Sequence, residues 1–385
     1  MLNLSSTTAL TDFTPKVEAK RRSLLTPIPD NPGHFLLVLD NSSLEKFTTC
    51  PTSAFYYLVK EREAQARNAA LVFGGAVHAG LEKFLLRQWH GNIGALEEKA
   101  KIDRECGDAA QDSVIVSHFT ANPAPPDYRT VEVALEVLRH YRIRATMPDF
   151  DWTILADANG PIIERAFELP LGLVEVGDKI QMPWLTDAQY ESTGGFWPDK
   201  AVFVSHIHLA WSGRIDALVH ANGLARVCDH KTTSIMGDNF AQDFTLSNQV
   251  LGYVWAAQQL WPQHNVLGFV VNALHLKKPG TTGVYTNGLM GSGPRGGPPP
   301  LDFQRFYFQY TQERLSWWEH NVRSILSDLV HCLVRNEWPS HTKNCFNKYG
   351  RCQYHTVCVQ DSSEVRGNMI DSDMFKPVTW NPVHT

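Results

Sequence analysis

Apolar positions along the chain change their period near residue 160, and the change separates two kinds of element. Before it the spacing is helical. In "LDNSSLEKFTTCPTSAFYYLVK", Ser42 or Ser43 can cap a helix along which Leu44, Phe47 and Tyr57 supply the apolar positions. In "AALVFGGAVHAGLEKFLLRQW" a second helix is expected to begin after the glycine pair. Val77, Leu81, Phe84 and Leu85 form its stripe, and His78 and Glu82 fall near one face. Residues 91–150 are charged and helical in pattern, interrupted by "ANPAPPDYRT". Beyond the change, "PIIERAFELPLGLV", "FVSHIHLAWSGRIDALVH" and "GLARVCDHKTTS" read as successive strands, with "ANG" turning between the last two. "FTLSNQVLGYVWAAQQLW" returns to a helix, and "NVLGFVVNALHLKK" is the near-continuous apolar strand of a sheet covered on both faces. After the Gly/Pro-rich stretch 279–300 come a strand, "LDFQRFYFQY", and a long amphipathic helix, "TQERLSWWEHNVRSILSDLVHCLV". No internal repeat is present.

This order predicts an α/β core carrying a helical insertion. Residues 1–33 are expected to be a loosely ordered arm. Residues 34–360 read as one continuous domain, with 88–158 a mostly helical insertion and 338–360 a cysteine-rich segment, and 361–385 as a tail. The chain of 385 residues can bury a full core. Its apolar runs look too short to span a bilayer, and the N-terminus lacks the apolar stretch of a secretory signal, so a cytosolic protein with no membrane partner is expected. A formal net charge of −5 argues against a protein that coats nucleic acid, but not against an enzyme with a local basic groove.

The candidate chemistry begins with "RVCDHKTTS". Asp229 and Lys231 are two apart on a strand, so both side chains meet the same object. "SGRIDALVH" places Asp216 on the preceding strand, and a hairpin would bring its carboxylate alongside. Two acids and a lysine at one end of a sheet suit a hard divalent cation and a phosphodiester. A surface ion pair with a solvated lysine is the competing reading. His78 on its helix, and Gln249 with Tyr253 one turn apart in "NQVLGYVW", are ordinary when taken singly.

Taken in order, the helical His, G-R-I-D, D-x-K-T-T and Q-x-x-x-Y resemble the RecB-like branch of the PD-(D/E)XK nucleases. The resemblance covers roughly residues 40–85 and 160–360. It implies a restriction-endonuclease-like fold, a mixed central sheet flanked by helices. It implies His78, Asp216 and Asp229 as ligands of Mg²⁺ or Mn²⁺, joined by the backbone carbonyl of His230. Lys231 is then catalytic, and Gln249 and Tyr253 accessory to DNA or to the lysine. Glu164 resembles a strand acid of the family, without a place in this ligand set.

Of seven cysteines, Cys106, Cys228 and Cys332 stand alone and read as small buried hydrophobes. Cys345-x6-Cys352-x5-Cys358 is spaced too widely for a zinc ribbon of C-x2-C knuckles. "LEKFTTCPTSAFYYLVK" resembles the segment by which the iron–sulfur subset of these nucleases adds a cysteine before proline. Helicase–nuclease subunits and CRISPR-associated iron–sulfur exonucleases belong to that subset. The resemblance implies that Cys50, Cys345, Cys352 and Cys358 hold a structural 4Fe–4S cluster stapling the C-terminus to the first helix. Zinc on the same thiolates, unligated buried thiols, and a mixed set using His341 or His355 stay open.

The resulting expectation is a metal-dependent DNA nuclease acting on single strands or ends. Recombination, repair or CRISPR-adaptation proteins, or a second copy of the chain, are the partners the resemblance admits. A catalytically silent DNA-binding subunit and a zinc-stapled interaction protein are the rivals. Three smaller expectations remain. His206 and His208 share a partly exposed strand face. Lys277, Lys278 and Arg295 are solvated or touch phosphate. Trp317, Trp318 and Trp338 are core.

Overall fold

In the computed structural model, residues 4–5, 24–29, 31–65, 68–92, 94, 98–182, 185, 187, 190, 201–236, 238–276, 301–347 and 350–378 are described. Most of the expected arm, and the stretch with Lys277, Lys278 and Arg295, lie outside them. The chain folds into two compact units, each discontinuous in sequence. One comprises Met1–Gln65, Ala166–Arg214 and Ser316–Thr385, and the other Ala66–Arg165 and Ile215–Leu315. Two long strands, β2 (Ile163–Gln181) and β3 (Ala201–Ala221), pass through both units.

The second unit is built on a mixed sheet. The end of β3 pairs antiparallel with β4 (Leu224–Thr233), β4 pairs parallel with β5 (Gly268–Leu276), and β5 pairs antiparallel with β6 (Leu301–Gln309). The β3–β4 hairpin turns at Asn222 and Gly223, both at positive φ (52° and 75°), as its right-handed twist requires. A parallel pair needs a crossover, which the helix Asn248–Leu260 supplies. All nine residues of β5 are buried, in accord with its unbroken apolar run.

Four helices of this unit matter for the site: α2 (Ala69–Asn92), α3 (Lys99–Cys106), α4 (Asp108–Ala121) and α5 (Val131–Arg144). They give the span 88–158 its helical character. Phe73, Val77 and Leu81 of α2 share a core with Ile115, Leu138 and Tyr141 and with Leu274 and Phe303 of the sheet. Contrary to the sequence expectation, α2 does not begin after the glycine pair but runs through it. The glycines serve proximity: a Cβ on Gly74 would stand 3.2 Å from Thr232 Oγ1 of β4, and one on Gly75 would stand 2.8 Å from the His118 ring. The helix is also long and apolar enough to cross a membrane by length and composition, which corrects the reading of its run as too short. Seven of its residues are buried within this unit, as in a core helix.

In the first unit, β1 (His34–Leu39) pairs parallel with the first half of β3, and the short strand Leu25–Pro27 pairs antiparallel with β1. Helix α1 (Asn41–Thr49) follows. Its cap is Asp40, which accepts from the Ser43 N–H at 2.8 Å, in place of the expected serines. α1 ends at Thr49 because Pro51 forces Cys50 out of helical conformation, to φ −164° and ψ 111°. Helix α7 (Gln312–Arg335) closes the strand region, with α6 the crossover Asn248–Leu260 already described. Trp318 is fully buried on Trp211, with ring centroids 5.5 Å apart, but Trp317 is 49% exposed. Neighbours on a helix point about 100° apart, so the pair cannot both be core as expected. The last stretch carries a helix, Ser363–Ile370, and a strand, Phe375–Pro377, which pairs with Arg62–Ala64.

Gly80 tests how tightly α2 is seated, since a Cβ there would meet Leu138 Cδ2 at 2.9 Å and Ile115 Cδ1 at 3.0 Å. Gly80→Leu is expected to lower stability by about 1–3 kcal/mol through overpacking, read as a lower urea midpoint with unchanged slope.

Candidate functional site

The antiparallel register of β3 and β4 runs from Ala221↔Leu224 to Ala217↔Cys228, while β4 continues along β5 to Thr233↔His275. Beyond Cys228, β4 therefore keeps one neighbour only. The N–H of His230, freed from that ladder, donates to Asp216 Oδ2 at 2.7 Å. Asp216 and Asp229 flank this fork and are 7% and 3% exposed. On α2, His78 reaches the same point. Its Nε2 is 2.7 Å from the His230 carbonyl oxygen and its Nδ1 is 3.4 Å from Asp216 Oδ2. The close approach at Gly74, one turn earlier, lets a helical side chain reach that far.

Glu164 completes the group. Ligand atoms of His78, Glu164 and Asp216 all lie within 4.8 Å of one another. The resemblance had marked Glu164 as a strand acid of the family but left it outside the ligand set. It adopts φ +48°, a region that non-glycine residues rarely enter and that costs on the order of 1–3 kcal/mol. Ile163 beside it is held in the core with Trp152, Ile154 and Ala217, which supports the strained turn.

Asp229 faces the other way along the site. Its Oδ2 is 2.8 Å from Lys231 Nζ and its Oδ1 accepts from Gln249 Nε2 at 3.0 Å. The pairing on one strand face that the sequence implied is thus present as contact, and Gln249 is drawn in with it. Tyr253, one turn along α6, is buried in that helix's inner face. The His78 and Lys231 side chains are 30% and 29% exposed above the buried carboxylates of Asp216 and Asp229.

Electrostatics follow from this placement. Burial, together with the Asp229 charge, pushes the Asp216 carboxyl up to about 6, against the pull of His78, the His230 N–H and Lys231. Burial holds the His230 imidazole well below its ordinary value, so it is neutral. Its Nδ1 accepts from Asn272 Nδ2 at 2.8 Å, and the same amide donates to the Tyr141 hydroxyl at 2.9 Å. The donor set is two carboxylates in one group, a backbone carbonyl and an imidazole, with a third carboxylate beside them. Its oxygen-rich character and the buried Asp216 carboxylate fit Mg²⁺ or Mn²⁺.

The thiols gather in the first unit. Cys50 sits at the break after α1, and Thr52 N–H donates to Pro339 O at 3.1 Å while His341 N–H approaches Cys50 Sγ at 3.5 Å. Cys352 N–H donates to Cys345 O at 2.9 Å, and Cys358 ends the turn His355–Cys358. Burial pushes the Cys358 thiol up to about 11, with the nearby Cys352, Cys50 and Cys345 adding to the effect. His341 Nδ1 is 3.1 Å from Thr49 O, and the His355 ring packs on Phe346.

A family model described as the PD-(D/E)XK nuclease superfamily matches residues 41–359. No curated protein matches the chain significantly.

The raised Asp216 value fixes a sign. A carboxyl whose folded value lies above its unfolded one stabilises the fold least at high pH. This contribution is present below about pH 4 and is lost as pH rises through about 6, a difference on the order of 2–3 kcal/mol. Asp216→Asn is therefore expected to make the metal-free protein more resistant to urea near pH 8. The stabilisation that Mn²⁺ gives the parent should shrink as pH falls from about 7.5 to about 5.5 and be absent in the variant, measured by thermal unfolding.

Proposed function

Because the chain belongs to the PD-(D/E)XK nuclease superfamily, whose members are typically metal-dependent nucleases, we propose that it hydrolyses DNA phosphodiesters, acting as an exonuclease on single strands or ends. The observation that carries this reading is the convergence of His78, Glu164, Asp216 and the His230 carbonyl on one point, with Lys231 beside it. These groups would hold the ion, with Asp229 completing the acidic set from beside Lys231. A bound Mg²⁺ or Mn²⁺ supplies polarisation of a phosphate oxygen and a water acidic enough to attack near neutral pH. Lys231, partly open to solvent, holds the water or the phosphate oxygen. Asp229 holds the lysine in place, and Gln249 holds Asp229 in turn. Water adds to phosphorus as the P–O bond to the leaving nucleotide breaks. The preference for DNA and for ends rests on the resemblance to the RecB-like branch. So do the proposed partners, namely recombination, repair or CRISPR-adaptation proteins or a second copy of the chain; a cytoplasmic setting is proposed with them.

The same reading assigns Cys50, Cys345, Cys352 and Cys358 to a structural 4Fe–4S cluster. Thiolates on one tetrahedral zinc stand about 3.8 Å apart, given a Zn–S bond of about 2.3 Å. A cubane cluster asks for thiolates set farther apart than that, which suits the wide spacing Cys345-x6-Cys352-x5-Cys358. Joining Cys50 to the C-terminal cysteines closes a long loop, and such closure stabilises by several kcal/mol on the scale of a long-loop disulfide.

End-labelled single- and double-stranded DNA, incubated with Mg²⁺ or Mn²⁺, tests the hydrolytic site. The parent should give a ladder whose order shows polarity, and Asp229→Ala and Lys231→Ala should each be slower by at least about 100-fold. Intact DNA from an iron-loaded parent would instead support a catalytically silent DNA-binding subunit. For the thiols, anaerobically purified protein should carry iron and acid-labile sulfide rather than zinc. Cys345→Ser should lose the iron and melt several degrees lower.

A further inference from the structure

The first unit brings three imidazoles together away from both groups already described. His34 of β1 pairs with His206 of β3 in the parallel ladder, and His208 follows two residues later, so all three share one face of the sheet. That face continues as Leu36, Val38 and Ala210, buried with Ile28 against them. The histidines stand at the end of an apolar stripe. His34 Nδ1 lies 3.0 Å from His208 Nε2, and the His34 ring stacks on that of His206 with centroids 4.6 Å apart. Nδ1 of His206 is buried with no hydrogen-bond partner among the described residues.

We propose that His34, His206 and His208 bind one late first-row divalent ion such as Zn²⁺, with water in the remaining position. Two nitrogens on a tetrahedral Zn²⁺ stand about 3.3 Å apart, given bonds of 2.0–2.1 Å, so His34 and His208 are already close to bridging geometry. His206 joins by turning its ring about the side-chain torsions, which gives its unpartnered nitrogen a role. Imidazole selects zinc, nickel and copper over magnesium, so this site and the oxygen-rich one do not compete for the same ion. One of the two facing nitrogens carries the proton of their hydrogen bond, so binding turns that ring to its other tautomer and gives both lone pairs to the ion. The ion would cross-link β1 to β3 and so stabilise that pairing. The inference does not depend on the nuclease reading.

The test uses full-length protein as purified, with Mg²⁺ in excess, titrated with Zn²⁺ against a chromophoric chelator. The parent should take up one equivalent more than the double variant His34→Gln/His208→Gln, and Zn²⁺ should raise the melting temperature of the parent alone. Equal uptake by a folded variant would overturn the site. If the variant does not fold, zinc K-edge absorption of the loaded parent decides. Three imidazole scatterers support the site, whereas sulfur scatterers or fewer than two imidazoles reject it; two imidazoles without His206 would be shown by unchanged uptake in His206→Asn, which also rejects the three-histidine site.

Discussion

One hydrogen bond organises the hydrolytic site: the N–H of His230 goes to the Asp216 carboxylate and not to a neighbouring strand. A buried backbone donor must find an acceptor, and a buried carboxylate must find donors. Where β4 leaves β3, each requirement meets the other. The bond keeps an acid in the interior and turns the His230 carbonyl toward His78. Two carboxylates so placed repel, and Lys231 neutralises Asp229 but leaves Asp216 with its charge suppressed by burial. A site in that condition favours a small, hard cation over water.

Support for this arrangement comes from elements remote in sequence. Tyr141, fully buried on α5, reaches His230 through Asn272 of β5, so the helical span holds the residue between acid and lysine. The glycine pair of α2 works from the opposite side by permitting the approach to Thr232 and His118. His78 therefore depends on residues that never touch it. The strain at Glu164 belongs to the same logic, since an acid can be held at positive φ only where the core on either side over-determines it.

Much of this was legible in the residues themselves. The β3–β4 hairpin could be read from "ANG", the buried strand from the run "LGFVVNALHL", and the shared face of Asp229 and Lys231 from the period of two. What pattern cannot show is which faces meet. Periodicity gives the stripe of α2 but not that Gly74 and Gly75 lie inside the helix, because their purpose is set by β4 and α4. Glu164 was audible only as an acid in a strand, since its place in the ligand group is made by long-range packing. Capping by Asp40 in place of Ser42 or Ser43 turns on a shift of two residues, which helix propensity does not resolve.

The discontinuity of the two units sets an order of assembly. Every residue of the unit that carries the acids and Lys231 precedes Ser316, whereas the unit that carries the thiols needs Ser316–Thr385. Synthesis is vectorial and domains fold as units while the chain emerges. The candidate site can therefore close on the nascent chain before the segment with Cys345, Cys352 and Cys358 is made. Its early contacts span α2 to β6, and the widest loop, from Cys50 to the C-terminal cysteines, closes last. An emerging chain would then hold the acids and Lys231 in one folded unit while the other unit still lacks Ser316–Thr385.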